Sequence, residues 1–289
     1  MGAGTVHDAS LGKEIVRRIN ELAAISEESD KLTRIYLSKE LRAAADLILG
    51  WMREAGMSAH LDAIGNVCGR YEGDRPGAPC LMLGSHYDTV RDAGKWDGPL
   101  GVITAISCVA ELNRRGKRLP FAIEVIGFAD EEGVRFASTL LGSRAVAGTF
   151  DESVLNTRDR DGVSMRDALV QFGLDPDHIG AAARARRELL AYLELHIEQG
   201  PVLEAQNLPV GVVTAIAGAT RLAARLTGMA GHAGTVPMAL RRDALAGAAA
   251  RCHPRESHRT LRALAEGPDR AGDRRGRRFR VRAAERGRA

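Results

Sequence analysis

The sequence is poor in aromatic residues, cysteines and long apolar runs. Aromatic residues make up only 4% of the 289 residues, and the four cysteines are scattered with no C-x-x-C pair. This spacing argues against a disulfide framework and against a zinc site made of thiolates. No apolar run approaches the ~18 residues of a membrane-spanning helix, and the first residues lack the apolar stretch of a signal peptide. We therefore expect a cytoplasmic protein with no membrane partner.

The charge is distributed unevenly along the chain. Residues 1–250 contain 28 basic and 32 acidic residues, whereas residues 251–289 contain 13 arginines, no lysine and five acids. The formal net charge of +4 and the pI of about 9.0 therefore come from the tail. The acidic balance of the body gives no reason to expect nucleic acid as a partner.

The tail at 251–289 differs in character from the rest of the chain. One residue in three is arginine, and neither helical nor strand periodicity organises its apolar residues. One interpretation is a basic, disordered arm that binds nucleic acid with a steep salt dependence. The other, which we favour, is translation outside the proper frame of a GC-rich gene.

Most of the body reads as alternating helices and strands, which predicts an α/β fold with a central sheet. Ser10 and Ser38 are expected to cap the first two helices. From residue 211 the pattern changes to two alternating strands, which predicts entry into a second, sheet-bearing domain. The predicted elements after the second helix are a hairpin that turns at Ile64-Gly65-Asn66, buried strands at 79–85 and 121–129, a helix from Pro99 to Asn113, and strands at 190–195, 211–217 and 221–228.

The first candidate cluster, GSHYDTV, begins at Gly84 and directly follows a predicted strand. A histidine at the carboxyl end of a strand lies where open α/β sheets place their sites, so His86 is a candidate metal ligand. Asp88 is then expected to accept a hydrogen bond from the other ring nitrogen and to fix the tautomer. The alternative is a loop histidine in an ordinary turn.

Carboxylates are the candidate ligands in two further clusters. In KWDGPLGV, Asp97 lies in a glycine-rich loop and is either a helix cap or a carboxylate that bridges two cations. In DEEG, which follows the predicted strand at 121–129, three successive acids are costly to hold together without cations or hydrogen bonds. There Glu132 is a candidate ligand and Glu131 a candidate base, unless the segment is a solvated acidic turn.

The fourth cluster is ELHIEQGP, which begins at Glu194. Strand alternation predicts that Glu194, His196 and Glu198 share one face. His196 is the candidate ligand, although a lone histidine at such a position is more often structural. Together the clusters offer two imidazoles and two carboxylates, a set that suits zinc, manganese or cobalt rather than calcium.

These four clusters, followed by GHAGTVPM, occur in order along the chain. From about residue 10 to 248 the sequence resembles the metal-dependent amidase and carbamoylase branch of the aminoacylase/carboxypeptidase family. That branch includes allantoate amidohydrolase, N-carbamoyl-L-amino-acid hydrolase and β-ureidopropionase. The resemblance implies a catalytic α/β domain, here residues 1–210, and a smaller α+β lid that also forms a homodimer, here beginning at 211–250.

The resemblance also implies a role for each candidate ligand. Two divalent cations, Mn²⁺ or Zn²⁺, would be the cofactors. His86 and His196 would hold one cation and Glu132 the other, with Asp97 bridging them. Glu131 would be the general base that activates water for attack on the scissile carbonyl.

Three further residues are candidates for contact with the substrate. The resemblance implies that Gln199 and His232 touch it, His232 from the lid of the homodimer partner. Arg221 is a candidate for a bidentate contact with a substrate carboxylate, although an outward-facing strand arginine is equally open. The substrate implied is a small ureido or amide carboxylate. The segments VRDAGKWDGPLGV and IAGATRL favour allantoate as the substrate, with N-carbamoyl-L-amino acids or β-ureidopropionate as the alternative.

The chain also departs from the branch that it resembles. Members of the branch continue for more than a hundred further residues, which supply an asparagine, an arginine and a distal histidine for the second cation. None of these is recognisable here, so we expect the chain as written to hydrolyse its substrate poorly or not at all. A truncated, non-catalytic remnant that still dimerises or binds one cation is the alternative from another class.

Overall fold

The computed structural model describes residues 5–216, 223–251 and 281–282. The chain divides into two compact units, Met1–Gly211 and Val212–Ala289. The first unit contains a five-stranded sheet together with helices, so the predicted α/β class with a central sheet is confirmed. Its helices are α1 (Thr5–Ala23), α2 (Lys39–Glu54), α3 (Pro99–Arg114), α4 (Leu141–Val146), α5 (Met165–Phe172) and α6 (Val202–Ala205). Its strands are β1 (Ser58–Leu61), β2 (Val67–Tyr71), β3 (Cys80–His86), β4 (Ala122–Phe128) and β5 (Leu189–Leu193), and its short 3₁₀ helices are Glu152–Asn156, Pro176–Ala182 and Arg186–Glu188.

The order of strands in the sheet is β1-β2-β4-β3-β5. β1 and β2 form the predicted hairpin, and β2 also pairs antiparallel with β4. β3 runs parallel to both β4 and β5. The crossover that parallel strands require is supplied by α3, which lies between β3 and β4 in sequence. The carboxyl ends of β3, β4 and β5 therefore lie at one edge of the sheet.

The main core lies between the sheet and the helices α2 and α3, with α1 packed on α3. Ile48, Ile103 and Val125 are among its fully buried members. The opposite face of the sheet carries a smaller apolar cluster, which contains Met82 and Ile126. Because both faces of β3 and β4 are covered by apolar side chains, these strands read as continuous apolar runs rather than as alternating ones.

One of the two predicted helix caps is confirmed and the other is wrong. The Oγ of Ser38 accepts a hydrogen bond of 3.0 Å from the amide of Leu41 at the start of α2, an arrangement that stabilises a helix by ~1 kcal/mol. In contrast, α1 begins at Thr5, so Ser10 lies inside the helix. No proline or glycine lies between Thr5 and Ser10, so helical hydrogen bonding continues from Ser10 back to Thr5.

The strand predicted at 190–195 is confirmed only in part. β5 ends at Leu193, where its pairing with β3 also ends. Glu194, His196 and Glu198 therefore lie in irregular backbone, and the strand alternation predicted for them is wrong. β5 is the edge strand of the described sheet and pairs with β3 alone, so no second ladder holds residues 194–198 in an extended conformation.

The second unit contains little regular structure among its described residues. Strands were expected at 211–217 and 221–228. Residues 211–216 form none, and residues 223–228 contain a two-residue strand, whereas residues 217, 221 and 222 lie outside the described residues. No described strand pairs with 211–216, and without a partner the backbone cannot form a ladder. The elements present are β6 (Ala223–Ala224), a 3₁₀ helix (Met238–Leu240), α7 (Ala244–Arg251) and β7 (Val281–Arg282), with β6 and β7 paired antiparallel.

Among the residues that the structure describes, no helix has both the length and the apolar character needed to cross a membrane. Cys68, Cys80 and Cys108 are free thiols. Of the tail at 251–289, the described residues are Arg251 and the strand β7, and the rest of the tail lies outside the described residues.

Candidate metal centre

Segments at the carboxyl edge of the sheet bring the predicted ligands together. β3 ends at His86, whose partner in the register with β4 is Phe128, the last residue of β4. The acidic segment follows β4 directly, Asp97 lies in the loop before α3, and His196 lies just beyond β5. Because these strands are parallel, the segments that follow them converge near His86.

The first candidate ligand group consists of His86, Asp97 and His196. The Nε2 of His196 lies 3.1 Å from Oδ1 of Asp97, and the Nε2 of His86 lies 3.7 Å from the same oxygen. The two imidazole ring centres are 5.8 Å apart, and the ligand atoms of the group all lie within 4.8 Å of one another. Two imidazole nitrogens and a carboxylate oxygen are donors that zinc and related cations accept, so this group fits a divalent cation.

The surroundings of Asp97 decide against its interpretation as a helix cap. The residue that caps α3 is Gly98, and no side chain forms a capping bond at that end. Instead, the carboxylate of Asp97 faces the two histidines and accepts hydrogen bonds of 3.0 Å at both oxygens from Nε2 of Gln199. Gln199, a predicted substrate contact, therefore lies beside the first group.

The second candidate ligand group consists of His86, Glu131 and Glu132, whose ligand atoms also lie within 4.8 Å of one another. Both glutamates are half-buried and Asp130 is fully buried, so this segment is not a solvated acidic turn. His86 is common to the two groups, whereas the resemblance implies Asp97 as the shared residue. The division into base, ligand and bridge stays a prediction.

Backbone carbonyls orient both histidines. The Nδ1 of His86 lies 3.0 Å from the carbonyl oxygen of Asp88, and the Nδ1 of His196 lies 2.9 Å from that of Ile197. A carbonyl oxygen can only accept, so the hydrogen bond requires the proton on each Nδ1. In the neutral rings each Nε2 then keeps its lone pair and faces Asp97, which is the tautomer that a cation ligand needs.

The carboxylate of Asp88 has a different partner from the one predicted. It lies 3.5 Å from the Nδ1 of His86, farther than the carbonyl oxygen of Asp88 itself. Its two oxygens accept the backbone amides of Glu131 and Glu132, at 3.1 and 3.2 Å. The buried Asp88 thus orients His86 through its carbonyl and the acidic segment through its carboxylate.

Two glycines that sequence reasoning did not assign allow the loop of Asp97 to approach the histidines. Gly98 has a φ of +81°, and a Cβ at this position would lie 2.6 Å from ring atoms of His86. A Cβ on Gly101 would collide with the carbonyl oxygen of Leu195, one residue before the second histidine. Only glycine fits such contacts. The glycine-rich motif KWDGPLGV is the feature of the sequence that indicates a close approach of the backbone.

The remaining predicted substrate contacts fall in the second unit. His232 is exposed, and its Nδ1 accepts a hydrogen bond of 3.1 Å from the amide of Gly234. Arg221 lies outside the described residues. The roles of both residues stay predictions.

The titratable groups of the site lie close together and partly out of water. Burial, followed by the negative charge of Glu131, raises the pKa of Glu132 to about 7. Burial also raises the pKa of Glu131, whereas the nearby imidazole of His86, whose Nε2 lies 3.7 Å from Asp97, lowers the pKa of Asp97. Burial disfavours protonation of His86, but the carboxylates of Asp88 and Asp97, which lie 3.5 and 3.7 Å from its ring nitrogens, outweigh the effect of burial and raise the pKa of His86 to about 11. Protons and cations therefore compete for this site.

We expect the cation-free chain to lose stability as the pH rises from 4.5 to about 7. Unfolded Glu132 ionises at its ordinary pKa of 4.5, whereas in the folded state the carboxyl keeps its proton up to about 7. The folded state thus binds more protons in this window, and its free energy of unfolding falls as the pH rises. The raised pKa of His86 acts in the same direction from 6.5 to about 11.

Urea unfolding of the chelator-treated chain across this pH range measures the effect. Glu132→Gln carries no titratable carboxyl, so its free energy of unfolding should fall less between 4.5 and about 7. The same slope in both proteins would contradict the raised pKa of Glu132.

Residues 82–283 match the model of peptidase family M20/M25/M40. The chain belongs to this family. The resemblance indicated by the ordered sequence clusters is thereby confirmed.

Relatives of this M20/M25/M40 family chain include two hydrolases of small molecules. The chain is 46% identical over 239 residues to the N-carbamoyl-L-amino acid amidohydrolase of Geobacillus stearothermophilus, which covers 82% of this chain and 58% of that protein. It is 46% identical over 253 residues to the allantoate deiminase of Arabidopsis thaliana, which covers 85% of this chain and 48% of that protein. The chain therefore spans about half to three fifths of the length of these relatives.

A solved structure shows the same fold. The crystal structure of a hydantoinase/carbamoylase family amidase from Burkholderia ambifaria matches with a TM-score of 0.71 at 32% identity, covering 94% of this chain and 67% of that one. The mixed α/β architecture with a central sheet is thus shared with a family amidase.

Proposed function

We propose that this protein is a metal-dependent hydrolase of linear amide and ureido C–N bonds, with allantoate as its substrate and ammonia as a product. The observation that carries the proposal is the convergence of two overlapping ligand groups at the carboxyl edge of the sheet. The similarity to an allantoate deiminase and to an N-carbamoyl-L-amino acid amidohydrolase supports the substrate class.

The proposed cofactors are two divalent cations, manganese or zinc. His86, Asp97 and His196 would hold one of them, and Glu132 would hold the other with Asp97 as the bridge. When bound, such a pair lowers the pKa of a coordinated water and polarises the scissile carbonyl. The mixed nitrogen and oxygen donors of the two groups support this choice of metals.

Glu131 is the proposed general base. Its carboxylate is half-buried, and the burial raises its pKa toward the neutral range in which a carboxylate transfers protons efficiently. It takes a proton from the attacking water and later delivers a proton to the departing ammonia. The hydrogen bond from its backbone amide to Asp88 holds this base in place.

Gln199 and His232 are the proposed substrate contacts. Gln199 lies beside Asp97 and is therefore within reach of a substrate at the first group. His232 is proposed to donate a hydrogen bond to the oxyanion from the lid of the partner in a homodimer. Residues 1–210 are the proposed catalytic domain, residues 211–250 are the proposed beginning of the lid, and the proposed location is the cytoplasm.

N-carbamoyl-L-amino acids are the second candidate substrates. The identity to the Geobacillus amidohydrolase, 46%, equals the identity to the Arabidopsis allantoate deiminase. Both substrate types present a carboxylate and a ureido group, so the same ligands and base serve either.

Ammonia release from the purified 289-residue chain tests the proposal. After loading with Mn²⁺ or Zn²⁺, we expect slow release from allantoate, well below the enzyme median of ~10 s⁻¹, and complete loss of release in a chelator. Calorimetric titration of allantoate into the metal-loaded chain supplies a second readout that does not depend on turnover. Faster release from N-carbamoyl-L-amino acids would favour the second candidate. Release that persists in the chelator, or neither release nor binding, would contradict the proposal.

A further inference from the structure

The two histidines of the first group lie at the end of β3 and just beyond β5, and the pairing between these two strands stops before either histidine is reached. β3 pairs with β5 only as far as Leu83 and Leu193. Beyond this point β3 continues to His86 in pairing with β4, while the chain that leads to His196 leaves the sheet. The backbone ladder between β3 and β5 therefore does not set the separation of the two imidazoles.

A side-chain network spans the gap between these two segments. The Oγ of Ser85 donates a hydrogen bond of 2.7 Å to Oε1 of Glu194, and the hydroxyl of Tyr192 donates one of 2.8 Å to Oε2 of the same carboxylate. The Tyr192 hydroxyl also lies 3.2 Å from the carbonyl oxygen of Gly84. Ser85 directly precedes the first histidine, and Glu194 lies two residues before the second.

Because Ser85 is buried, its hydroxyl needs a hydrogen-bond partner within the protein. Its side chain is fully buried, and a buried hydroxyl without a partner is costly. Glu194 supplies the acceptor from the segment that carries His196. The network therefore links β3 to that segment beyond Leu83 and Leu193, where the backbone hydrogen bonds between β3 and β5 have ended.

Helix α3 restrains the same segment from another side. A Cβ on Gly101 would contact both the carbonyl oxygen of Leu195 and the Cβ of Ser85. The loop that carries Asp97 leads directly into α3. Packing against α3 thus limits the backbone of Leu195 in one direction, and the carboxylate of Glu194 limits it in another.

We propose that Glu194 is a positioning residue that sets the separation of His86 and His196, and with it the affinity of the first group for a divalent cation. The inference rests on the proposed function, which requires a cation at this group. Glu194 acts through its hydrogen bonds to two hydroxyl groups and not through its charge. Glutamine keeps an oxygen that accepts from Ser85 and an amide that donates to the phenolic oxygen, so it should preserve the arrangement.

Calorimetric titration of Zn²⁺ into the cation-free full chain tests the proposal. Glu194→Ala and Ser85→Ala should each weaken zinc binding by about 10- to 100-fold, the range found when groups that orient metal ligands are removed. The double variant should be no weaker than the weaker-binding single variant, because both substitutions remove one shared interaction. Glu194→Gln should stay within about threefold of the unsubstituted chain.

Glu198→Ala is the matched control. This carboxylate lies two residues beyond the second histidine, but it accepts hydrogen bonds from the backbone amides at the start of α6. Its removal should leave zinc affinity unchanged. Unchanged affinity in Glu194→Ala would overturn the proposal, and so would equal losses in Glu194→Ala and Glu194→Gln, because the charge would then be the cause.

A second readout needs no cation. In ¹H–¹⁵N spectra of the histidine rings of the cation-free chain, Glu194→Ala should shift or broaden the His196 ring signals, and Glu194→Gln should not. If the unsubstituted chain bound no zinc, the proposed function would fail by itself. In that case an unchanged His196 ring in Glu194→Ala would overturn the positioning role independently.

Discussion

Replacing Glu131 by glutamine is expected to lower the rate of ammonia release by ~10²–10⁴-fold while leaving cation content unchanged. The substitution keeps the size of the side chain and the hydrogen bond from the backbone amide to Asp88. It removes only the group that accepts a proton from water. Rates measured on metal-loaded protein, together with metal analysis of the same samples, separate loss of the base from loss of a ligand.

Glu132→Gln is the reciprocal variant and serves as the matched control for Glu131→Gln. The two glutamates are adjacent, both half-buried, and both held by Asp88 through their backbone amides. If Glu132 is a ligand, its amide variant should lose cation content and should lose activity only in proportion. Reduced cation content in Glu131→Gln with full content in Glu132→Gln would reverse the assignment.

Replacing His86 by alanine is expected to weaken binding of the cation proposed for the first group by about 100-fold or more. His86 and His196 are both proposed ligands of that cation, and loss of a direct ligand should cost at least as much as the upper range for groups that only orient ligands. Because Asp97 and Glu132 are the proposed ligands of the second cation, His86→Ala and His196→Ala should each reduce the number of bound cations rather than abolish binding. Zinc calorimetry and metal content after dialysis report affinity and stoichiometry.

His178→Ala is the control for the removal of an imidazole. His178 is exposed, and its Nδ1 pairs with Asp175 in a 3₁₀ helix that contributes no residue to either ligand group. Its substitution should change neither affinity nor stoichiometry. If His86→Ala and His196→Ala both kept the full metal content, the groups described at the carboxyl edge would not be the cation site.

Much of the first unit could be predicted from local patterns. Short stretches of consecutive residues specify β3, β4, the helix between them and the cap at Ser38. The structure confirms each of these elements. The failures have local causes as well. Ser10 resembles a cap, but no proline or glycine lies between Thr5 and Ser10 to end the helix there, and the strand expected at 211–217 has no described strand beside it. A strand depends on its partner, which the strand's own residues do not specify.

The sequence by itself determined the chemistry of the candidate site. Two imidazoles and several carboxylates, each placed at the end of a predicted strand or in an adjoining loop, indicate a divalent cation because few other functions require those donors together. Parallel strands bring their carboxyl ends to one edge, so the convergence of these residues near His86 followed from the α/β pattern.

Only the tertiary structure decided how these residues are held. The sequence does not show that the carbonyl of Asp88 orients His86 while its carboxylate holds two backbone amides. Nor does it show that Gly98 packs against an imidazole, or that Ser85 meets Glu194. Apart from the contact between His86 and the carbonyl of Asp88, which lie two residues apart, these contacts join separate segments of the chain. Their geometry depends on strand order and on where the β5 ladder ends, and these are properties of the packed sheet rather than of any local stretch of residues.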